Sequence, residues 1–285
     1  MTQLLGIYRE PEYSPGRHRT NDAWLLEAVA EALRVEGAGV ELATLDRAAA
    51  RRGGAALIFS MCQGRKALDT LASWARDGSA IVNSPRAARN THRDRLPALM
   101  IGAGVPFPET RLIDVRSPQL GDLEMEPGRP LWLKRGDIHA SVPSDVQHVD
   151  SHAALVSGLA DFIARGVDSA ALQVHRAGDE IKFYGVADGS FFHWCYQRDA
   201  HGYRFDPALL VSIAQRAATA AGVDVFGGDV IVSPSGELTL IDLNDWPSFA
   251  PCREAAAGAI AGYLTRRVHA AWHSGVVSGA NESAV

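Results

Sequence analysis

The stretch DVIVSPSGELTLIDLND, residues 229–245, places acidic and amide side chains in two segments that otherwise resemble buried β-strands. The turn SPSGE between them predicts a hairpin, which brings Asp242 and Asn244 back beside Asp229. Residues 242 and 244 are two positions apart, so both side chains point to the same face of the strand. Burying a carboxylate without a partner costs several kcal/mol, so these oxygens are expected to hold a ligand or a counter-ion.

Three oxygen donors on adjacent strands are typical of a Mg²⁺ site, because Mg²⁺ is usually held by one or two carboxylates together with substrate phosphates. The stretch contains neither Cys nor His, which argues against zinc. Asp229, Asp242 and Asn244 are therefore candidate metal ligands. The alternative is that the two acids are strand-end or turn residues engaged in salt bridges.

The composition restricts the class of protein. The chain has 285 residues, of which 47% are hydrophobic, enough for a core in one or two closely joined domains. A net charge of −5 argues against non-specific nucleic-acid binding, which relies on an excess of Lys and Arg. The three cysteines are far apart and suit a reducing compartment. With no long apolar run at the start or elsewhere, we expect a cytoplasmic protein that binds neither nucleic acid nor membrane.

The first third of the chain alternates short apolar segments with helical patterns, which is typical of a small parallel sheet. This pattern predicts an N-terminal α/β domain over residues 1–88. The predicted strands are 4–8, 40–45, 55–61 and 81–84, and the predicted helices are 21–37 and 65–78.

The second part of the chain, residues 89–275, contains strands with longer and more irregular connections. The turns RAGDE and SPSGE are typical of hairpins, so this part is predicted to be mainly antiparallel. The polar residues 276–285 are predicted to form a flexible tail. The predicted strands are 131–136, 171–186, 191–197 and 226–245, and the predicted helices are 91–104, 151–165, 207–221 and 252–272.

These motifs, in this order, resemble the ATP-grasp superfamily. Its last motif has the form D…(E/D)xN on paired strands, which Asp229, Asp242 and Asn244 match. THRDRLPALMIGAGVPFPET resembles the helix and connection that precede the nucleotide site, and LWLKRG resembles the strand with the phosphate-binding lysine. ALQVHRAGDEIKFYGV resembles the hinge strand against which adenine packs. The resemblance implies an α/β (α+β) chain, with a small parallel Rossmann-like sheet followed by an ATP-grasp domain of mainly antiparallel sheets.

The resemblance also implies ATP as a bound nucleotide, with one or two Mg²⁺ ions. Asp242 stands where the ligase branches usually have Glu, as in the inositol-phosphate kinase branch. An acidic residue often follows Gln in the hinge and is replaced here, so Asp179 or Glu180 is left to bind the ribose. The residues implied to contact ATP are Arg95, Lys134, Gln173, Val174, His175 and Lys182.

Basic residues follow two strands at the same edge of the predicted parallel sheet. The loop after the first strand contains Arg17 and Arg19, and Arg65 opens the helix after the third strand. Ligands bind beyond the carboxyl ends of parallel strands, and helix N-termini favour anions. These residues therefore predict a substrate with a carboxylate or phosphate, with solvated surface charges as the alternative. Trp246 and Ser248 are expected to shape the wall of the pocket, unless Trp246 belongs to the core.

Three residues are candidates for a catalytic role. His139, in the loop after Lys134, resembles a histidine near the substrate in the inositol-phosphate kinase branch. Lys182 falls where the superfamily places a basic residue near the phosphates or the substrate. Arg253, at the start of the last helix, is positioned in the sequence to steady an acyl phosphate or the substrate. For each of them the alternative is a structural or solvent-exposed side chain.

The leading interpretation is a ligase that joins a small-molecule carboxylate to an amine through an acyl phosphate, forming ADP and phosphate. The alternative is a kinase that phosphorylates a hydroxyl of a small anionic substrate, which Asp242 and His139 favour and the modest number of basic residues disfavours. A third option is a nucleotide-binding regulator without catalysis, which has less need of a complete metal site. Because many relatives in this superfamily form dimers, a homodimer is also implied.

Overall fold

The computed structural model describes residues 2–50, 52–118 and 128–273, and the predicted tail lies outside them. Four parallel strands form the first sheet in the order β2–β1–β3–β4, so the predicted parallel sheet is confirmed. All of β1 from Leu4 to Ile7 is buried, as expected for a parallel sheet covered by helices. The elements are β1 (Gln3–Ile7), α1 (Arg17–Val35), β2 (Gly39–Ala43), α2 (Leu45–Ala48), β3 (Leu57–Ser60), α3 (Arg65–Arg76), β4 (Ile81–Val82) and α4 (Pro85–Asn90).

The second sheet is antiparallel, with the order β5–β8–β6–β7. Leu155, Leu159 and Phe162 of the helix after β7 form one hydrophobic cluster with the sheet. The elements are α5 (Leu96–Gly102), β5 (Thr110–Asp114), β6 (Leu131–Arg135), β7 (Val146–Val149), α6 (His152–Ala164) and β8 (Ser169–Val174).

The third sheet is also antiparallel, with the order β10–β9–β11–β12. The SPSGE turn joins β11 to β12, so the predicted hairpin is confirmed. The first helix after β10 begins with the N-cap Asp206 and ends at Gly222, which has a positive φ. The elements are β9 (Asp179–Val186), β10 (Phe192–Tyr196), α7 (Pro207–Ala221), β11 (Val225–Val232), β12 (Leu238–Asp245) and α8 (Arg253–His273).

The hairpin predicted through RAGDE is wrong. β8 pairs with β5 and β6, whereas β9 pairs with β10 and β11, so both edges of each strand are already taken. The turn instead carries the chain from the second sheet to the third. Gly178 has φ +151°, and a Cβ there would lie 2.2 Å from the carbonyl oxygen of Val232. The backbone therefore passes directly against the end of β11, which only glycine allows.

The helix predicted at 91–104 is shorter than expected. Residues 91–95 form turns, and α5 begins at Leu96 with a proline in its first turn. Thr91, His92 and Arg93 are buried in these turns instead of lying along a helix. The elements α2, α4, β5 and β7 are additions that the sequence pattern did not reveal.

Two contacts join the parallel sheet to the third sheet. Helix α8 packs against α1 in one hydrophobic cluster, which includes Leu25, Val29, Ile260 and Leu264. Asn83, at the end of β4, is 3% exposed and hydrogen-bonds the backbone of β11 and the side chain at the end of β12. Together they hold the carboxyl edge of the parallel sheet against β12. Within the described part of the chain, none of the helices has the length and apolar character needed to cross a membrane.

Candidate functional site

A cavity of about 590 Å³ is lined by strands of the second and third sheets and by the loops after β1 and β12. This volume lies in the range of small-molecule sites. The structure brings together most of the residues that the sequence singled out for nucleotide and metal binding. The predicted residues that line the cavity are Lys134, His139, Gln173, Val174, His175, Lys182, Asp229, Asp242, Asn244 and Ser248.

Charged side chains form a row across the third sheet. The register pairs Lys182 of β9 with Asp229 of β11, and Asp229 in turn with Asp242 of β12. Lys182 Nζ lies 2.6 Å from Asp229 Oδ1. At the other end of the row, the guanidinium of Arg93 donates to the carboxylate of Asp242. The row therefore has the charge order plus, minus, minus, plus.

The pKa values of the row follow from this order. For Asp242, burial favours the neutral acid, but Arg93 and Lys134 outweigh burial and lower the pKa of the carboxyl group below its usual value. For Lys182, burial opposes the charge, but Asp229 outweighs it and raises the pKa of the ammonium group. Both groups are thus charged at neutral pH.

Asp229, Asp242 and Asn244 fit a Mg²⁺ ion by the chemistry of their donors. Their side chains lie on one face of the β11–β12 hairpin and offer hard oxygens. A carboxylate has about four lone-pair sites, so the ion pairs with Lys182 and Arg93 leave acceptor positions at both acids. In the part of the chain that the structure describes, no three His, Cys, Asp or Glu side chains form a metal cluster by themselves. A metal here would therefore take its further ligands from Asn244, from water or from phosphate oxygens.

Arg93 is a site residue that the sequence analysis missed, and it replaces Arg95. Arg93 is 6% exposed and lines the cavity, whereas Arg95 is the exposed N-cap residue of α5. The late start of the helix decides which of the two arginines turns inward. Both stand in the same HRDR stretch, so no local pattern distinguishes them.

Lys134 lies between the two antiparallel sheets. Its Nζ donates to Gln173 Oε1 at 2.7 Å and to the carbonyl oxygen of Ile241 at 3.3 Å. Burial lowers the pKa of this ammonium to about 8, although Asp242 favours the charged form. The side chain that holds Lys134 is thus a neutral amide, which orients the ammonium without neutralising it.

Aromatic rings and the segment that joins β8 to β9 line one end of the cavity. Trp132 Nε1 donates to His175 Nδ1 at 3.0 Å, and the two ring centroids are 6.1 Å apart. Glu180 lines the cavity, and burial followed by the charge of Asp229 raises the pKa of its carboxyl group. The carboxylate of Asp179 instead accepts hydrogen bonds from the backbone N–H groups of residues 201–203. Of the two acids considered for ribose binding, Glu180 is the one that faces the cavity.

The loop after β1 lines the other end of the cavity. Arg9 donates to the carbonyl oxygen of Trp246 at 2.7 Å and lies 3.2 Å from a carboxylate oxygen of Asp22. Tyr13 and Ser248 also line this end. The sequence signal for Arg9 was its position directly after a parallel strand.

The predicted anion site at the start of α3 is filled by the protein itself. The carboxylate of Glu10 accepts hydrogen bonds from the backbone N–H groups of Gln63 at 3.1 Å and Gly64 at 3.0 Å. Arg65 is exposed and does not line the cavity. An acidic side chain therefore takes the position proposed for a substrate anion, because a helix N-terminus attracts any nearby carboxylate.

Several other predicted residues lie away from the cavity. Arg253 donates to Asn21 Oδ1 at 3.2 Å and its guanidinium carbon lies 5.1 Å from the centre of the Trp24 ring. Trp246 is fully buried in the core, where its indole N–H donates to the carbonyl oxygen of Val82 at 3.2 Å. We therefore remove Arg65, Arg95, Arg253 and Trp246 from the candidate site. The side chains of Arg17 and Arg19 lie outside what the structure describes.

His139 does line the cavity, but it is held as a neutral side chain. It is 5% exposed, and its Nε2 lies 2.9 Å from the hydroxyl of Thr91. Burial, together with the nearby His92 ring, lowers the pKa of the imidazole well below its usual value. A role for His139 would thus be that of a neutral hydrogen-bonding group, since it carries no charge at neutral pH.

No family model and no curated protein sequence matches the chain. Solved structures do match over more than nine tenths of its length. A RimK-domain ATP-grasp protein from Sphaerobacter thermophilus is 19% identical with a TM-score of 0.69, covering 92% of this chain and 99% of that one. The D-alanine–D-alanine ligase of Bacillus anthracis, complexed with ATP, is 11% identical with a TM-score of 0.74, covering 96% and 99%. The ATP-grasp ligase PsnB, with a minimal precursor, Mg and ADP, is 15% identical with a TM-score of 0.62, covering 93% and 98%.

The chain therefore has the ATP-grasp fold, and the predicted superfamily resemblance and fold class are confirmed at the level of fold. The parallel sheet followed by two antiparallel sheets is the arrangement shared with the D-alanine–D-alanine ligase.

Proposed function

We propose that this protein is an ATP- and Mg²⁺-dependent ligase that joins a small-molecule carboxylate to an amine. The observation that carries the proposal is the row of charges on the third sheet, which lines the same cavity as the aromatic residues Trp132 and His175 and the loop after β1. Nucleotide and metal sites on paired strands, with room for a second substrate beyond them, suit phosphoryl transfer from a nucleotide to an acceptor. The fold shared with two ligases that carry ATP or ADP supports the same reading.

The nucleotide is proposed to lie with its base at Trp132 and His175, against the end of β8. Glu180 is then placed to accept hydrogen bonds from the ribose hydroxyls. Lys134, Lys182 and Arg93 line the cavity beside the two acids and are proposed to contact the phosphates. They act by position and charge, since phosphoryl transfer needs little covalent chemistry from the protein. The metal at Asp229, Asp242 and Asn244 would neutralise charge on the transferring phosphoryl group.

The acceptor is proposed to bind at the end formed by the loop after β1. Of the three arginines that line the cavity, Arg9, Arg93 and Arg176, the first two already have an acidic partner, Asp22 and Asp242. Such balanced charge suits a substrate with a single carboxylate better than a polyphosphorylated one. For this reason we favour the ligase reaction over the kinase reaction.

The low pKa of Lys134 gives this proposal a pH dependence. Only the ammonium form attracts phosphate, and the group loses its proton as the pH rises through about 8. We expect the affinity for MgADP, measured by calorimetry between pH 7 and 9.5, to fall by up to about tenfold per pH unit above that point. In Lys134→Arg the guanidinium stays charged, so the decline is expected to flatten. An equally steep decline in that variant would show that another group is responsible.

Phosphorus NMR with MgATP, a pool of small metabolites and hydroxylamine tests the reaction itself. Hydroxylamine traps an acyl phosphate as a hydroxamate. We expect inorganic phosphate together with a hydroxamate, and the trapped acid would identify the carboxylate substrate. An organic phosphate ester would instead establish the kinase, for which the position of His139 in the cavity is the favouring observation. MgATP that stays intact in every pool, although it binds, would favour a nucleotide-binding regulator.

A further inference from the structure

The two candidate metal carboxylates are each paired with a cation in the structure. Lys182 Nζ lies 2.6 Å from Asp229, and Arg93 bonds Asp242. The pairs are partly shielded from water, since the side chains of Arg93 and Asp242 are 7% and 8% exposed and that of Asp229 is 15% exposed. Each acid thus has one cation in direct contact, on opposite sides of the row.

Without Lys182 and Arg93, the two neighbouring carboxylates of the row would destabilise the folded protein. Asp229 and Asp242 stand directly opposite each other on adjacent strands, and like charges in that position destabilise a sheet. Burying either carboxylate alone adds a desolvation cost. Lys182 and Arg93 remove both problems, because the four side chains together sum to zero charge.

We infer that Lys182 and Arg93 neutralise the two carboxylates in place of a metal ion. Each carboxylate exchanges its cation for Mg²⁺ only when nucleotide phosphates bind that cation. This inference rests on the proposed nucleotide and metal site. Mg²⁺ alone would add two positive charges beside two fixed cations. Metal-free nucleotide would bring its negative charges beside two acids. When both bind, the acids pair with the metal and the cations pair with the phosphates, so every charge has a partner of opposite sign.

The consequence is a strong mutual dependence of metal and nucleotide binding. Each ligand removes the repulsion that the other would meet, and such coupling is reciprocal. Couplings between sites typically change affinities by about 5- to 150-fold. The structure also predicts which variants weaken this dependence. The two cations of the row oppose the binding of metal alone, and the two acids oppose the binding of metal-free nucleotide.

Removing a cation should strengthen the binding of metal alone. In Lys182→Met we expect the affinity for Mn²⁺, titrated into nucleotide-free protein by calorimetry, to rise about tenfold over wild type. Lys66→Met is the matched control, since Lys66 is exposed on α3, and it should bind Mn²⁺ as wild type does. An unchanged or weaker Mn²⁺ affinity in Lys182→Met would overturn the inference.

Removing an acid should strengthen the binding of nucleotide alone. In Asp229→Asn we expect the affinity for ADP in EDTA to rise about tenfold, while the affinity for MnADP falls. Weaker ADP binding in EDTA would overturn the inference even if the lysine variant behaves as expected. Wild-type protein that fails to bind MgADP at all would instead refute the proposed function. Thermal unfolding confirms that each variant is folded before it is titrated.

Discussion

Replacing Asp242 by Asn is expected to lower ADP formation from MgATP by about a thousandfold, the scale of losing one essential electrostatic contact in an active site. The substitution keeps the shape of the side chain and removes its negative charge. Asp242 faces Asp229 across the hairpin and has Arg93 as its partner, so its charge serves both the metal and the guanidinium. ADP formation is measured in the metabolite pool that supports the wild-type reaction.

Asn is preferred to Ala at this position because Asp242→Ala would leave the buried Arg93 with neither its acidic partner nor a replacement acceptor at position 242, and breaking a buried pair costs about 3–5 kcal/mol. The matched control is Asp69→Asn on the exposed side of α3, which removes the same charge far from the cavity. Circular dichroism checks that the variant is folded. A folded Asp242→Asn protein that turns over MgATP within a few-fold of wild type would exclude Asp242 as a metal ligand.

Asn83→Ala is expected to lower the free energy of unfolding by about 3–5 kcal/mol, because several buried polar groups lose their partner at once. The amide nitrogen of Asn83 donates to the carbonyl oxygen of Val225 at 2.8 Å and to Asp245 Oδ1 at 2.5 Å. Its oxygen accepts from the backbone N–H groups of Asp224 at 2.7 Å and Val225 at 2.9 Å. Urea unfolding of the variant and of wild type measures the difference.

Asn90→Ala provides the matched control for this second substitution. Asn90 donates one hydrogen bond, to the carbonyl oxygen of Ala221 at 3.0 Å, and is only partly buried. Its loss should cost about 1 kcal/mol. If Asn83→Ala costs no more than Asn90→Ala, then Asn83 does not hold the parallel sheet against the β11–β12 hairpin.

The central part of the candidate site was accessible from the sequence because it depends on local rules. Alternation along a strand places Asp242 and Asn244 on one face, and the SPSGE turn returns the chain beside Asp229. The resemblance to the ATP-grasp superfamily singles out Lys134 and Lys182, which lie in β6 and β9 and line the cavity.

Other parts of the site depend on contacts between segments that are far apart in the sequence, and periodicity and turn motifs do not predict such contacts. RAGDE does connect two strands, but these strands belong to different sheets because other strands occupy their edges. Trp246 follows the metal strand closely in sequence, yet it packs into the core. Neither outcome can be read from the residues next to these positions.

The sequence by itself determined the parallel and antiparallel parts of the chain and the hairpin of the candidate metal ligands, because periodicity and turn chemistry act over a few residues. The two lysines were singled out by the resemblance to the ATP-grasp superfamily. Only the tertiary structure decided that Arg93 and not Arg95 faces Asp242, and that Glu10 fills the start of α3. The physical reason is that a charged side chain goes to the counter-charge or dipole that the fold brings within its reach, and that partner lies 149 residues away for Arg93 and 54 for Glu10.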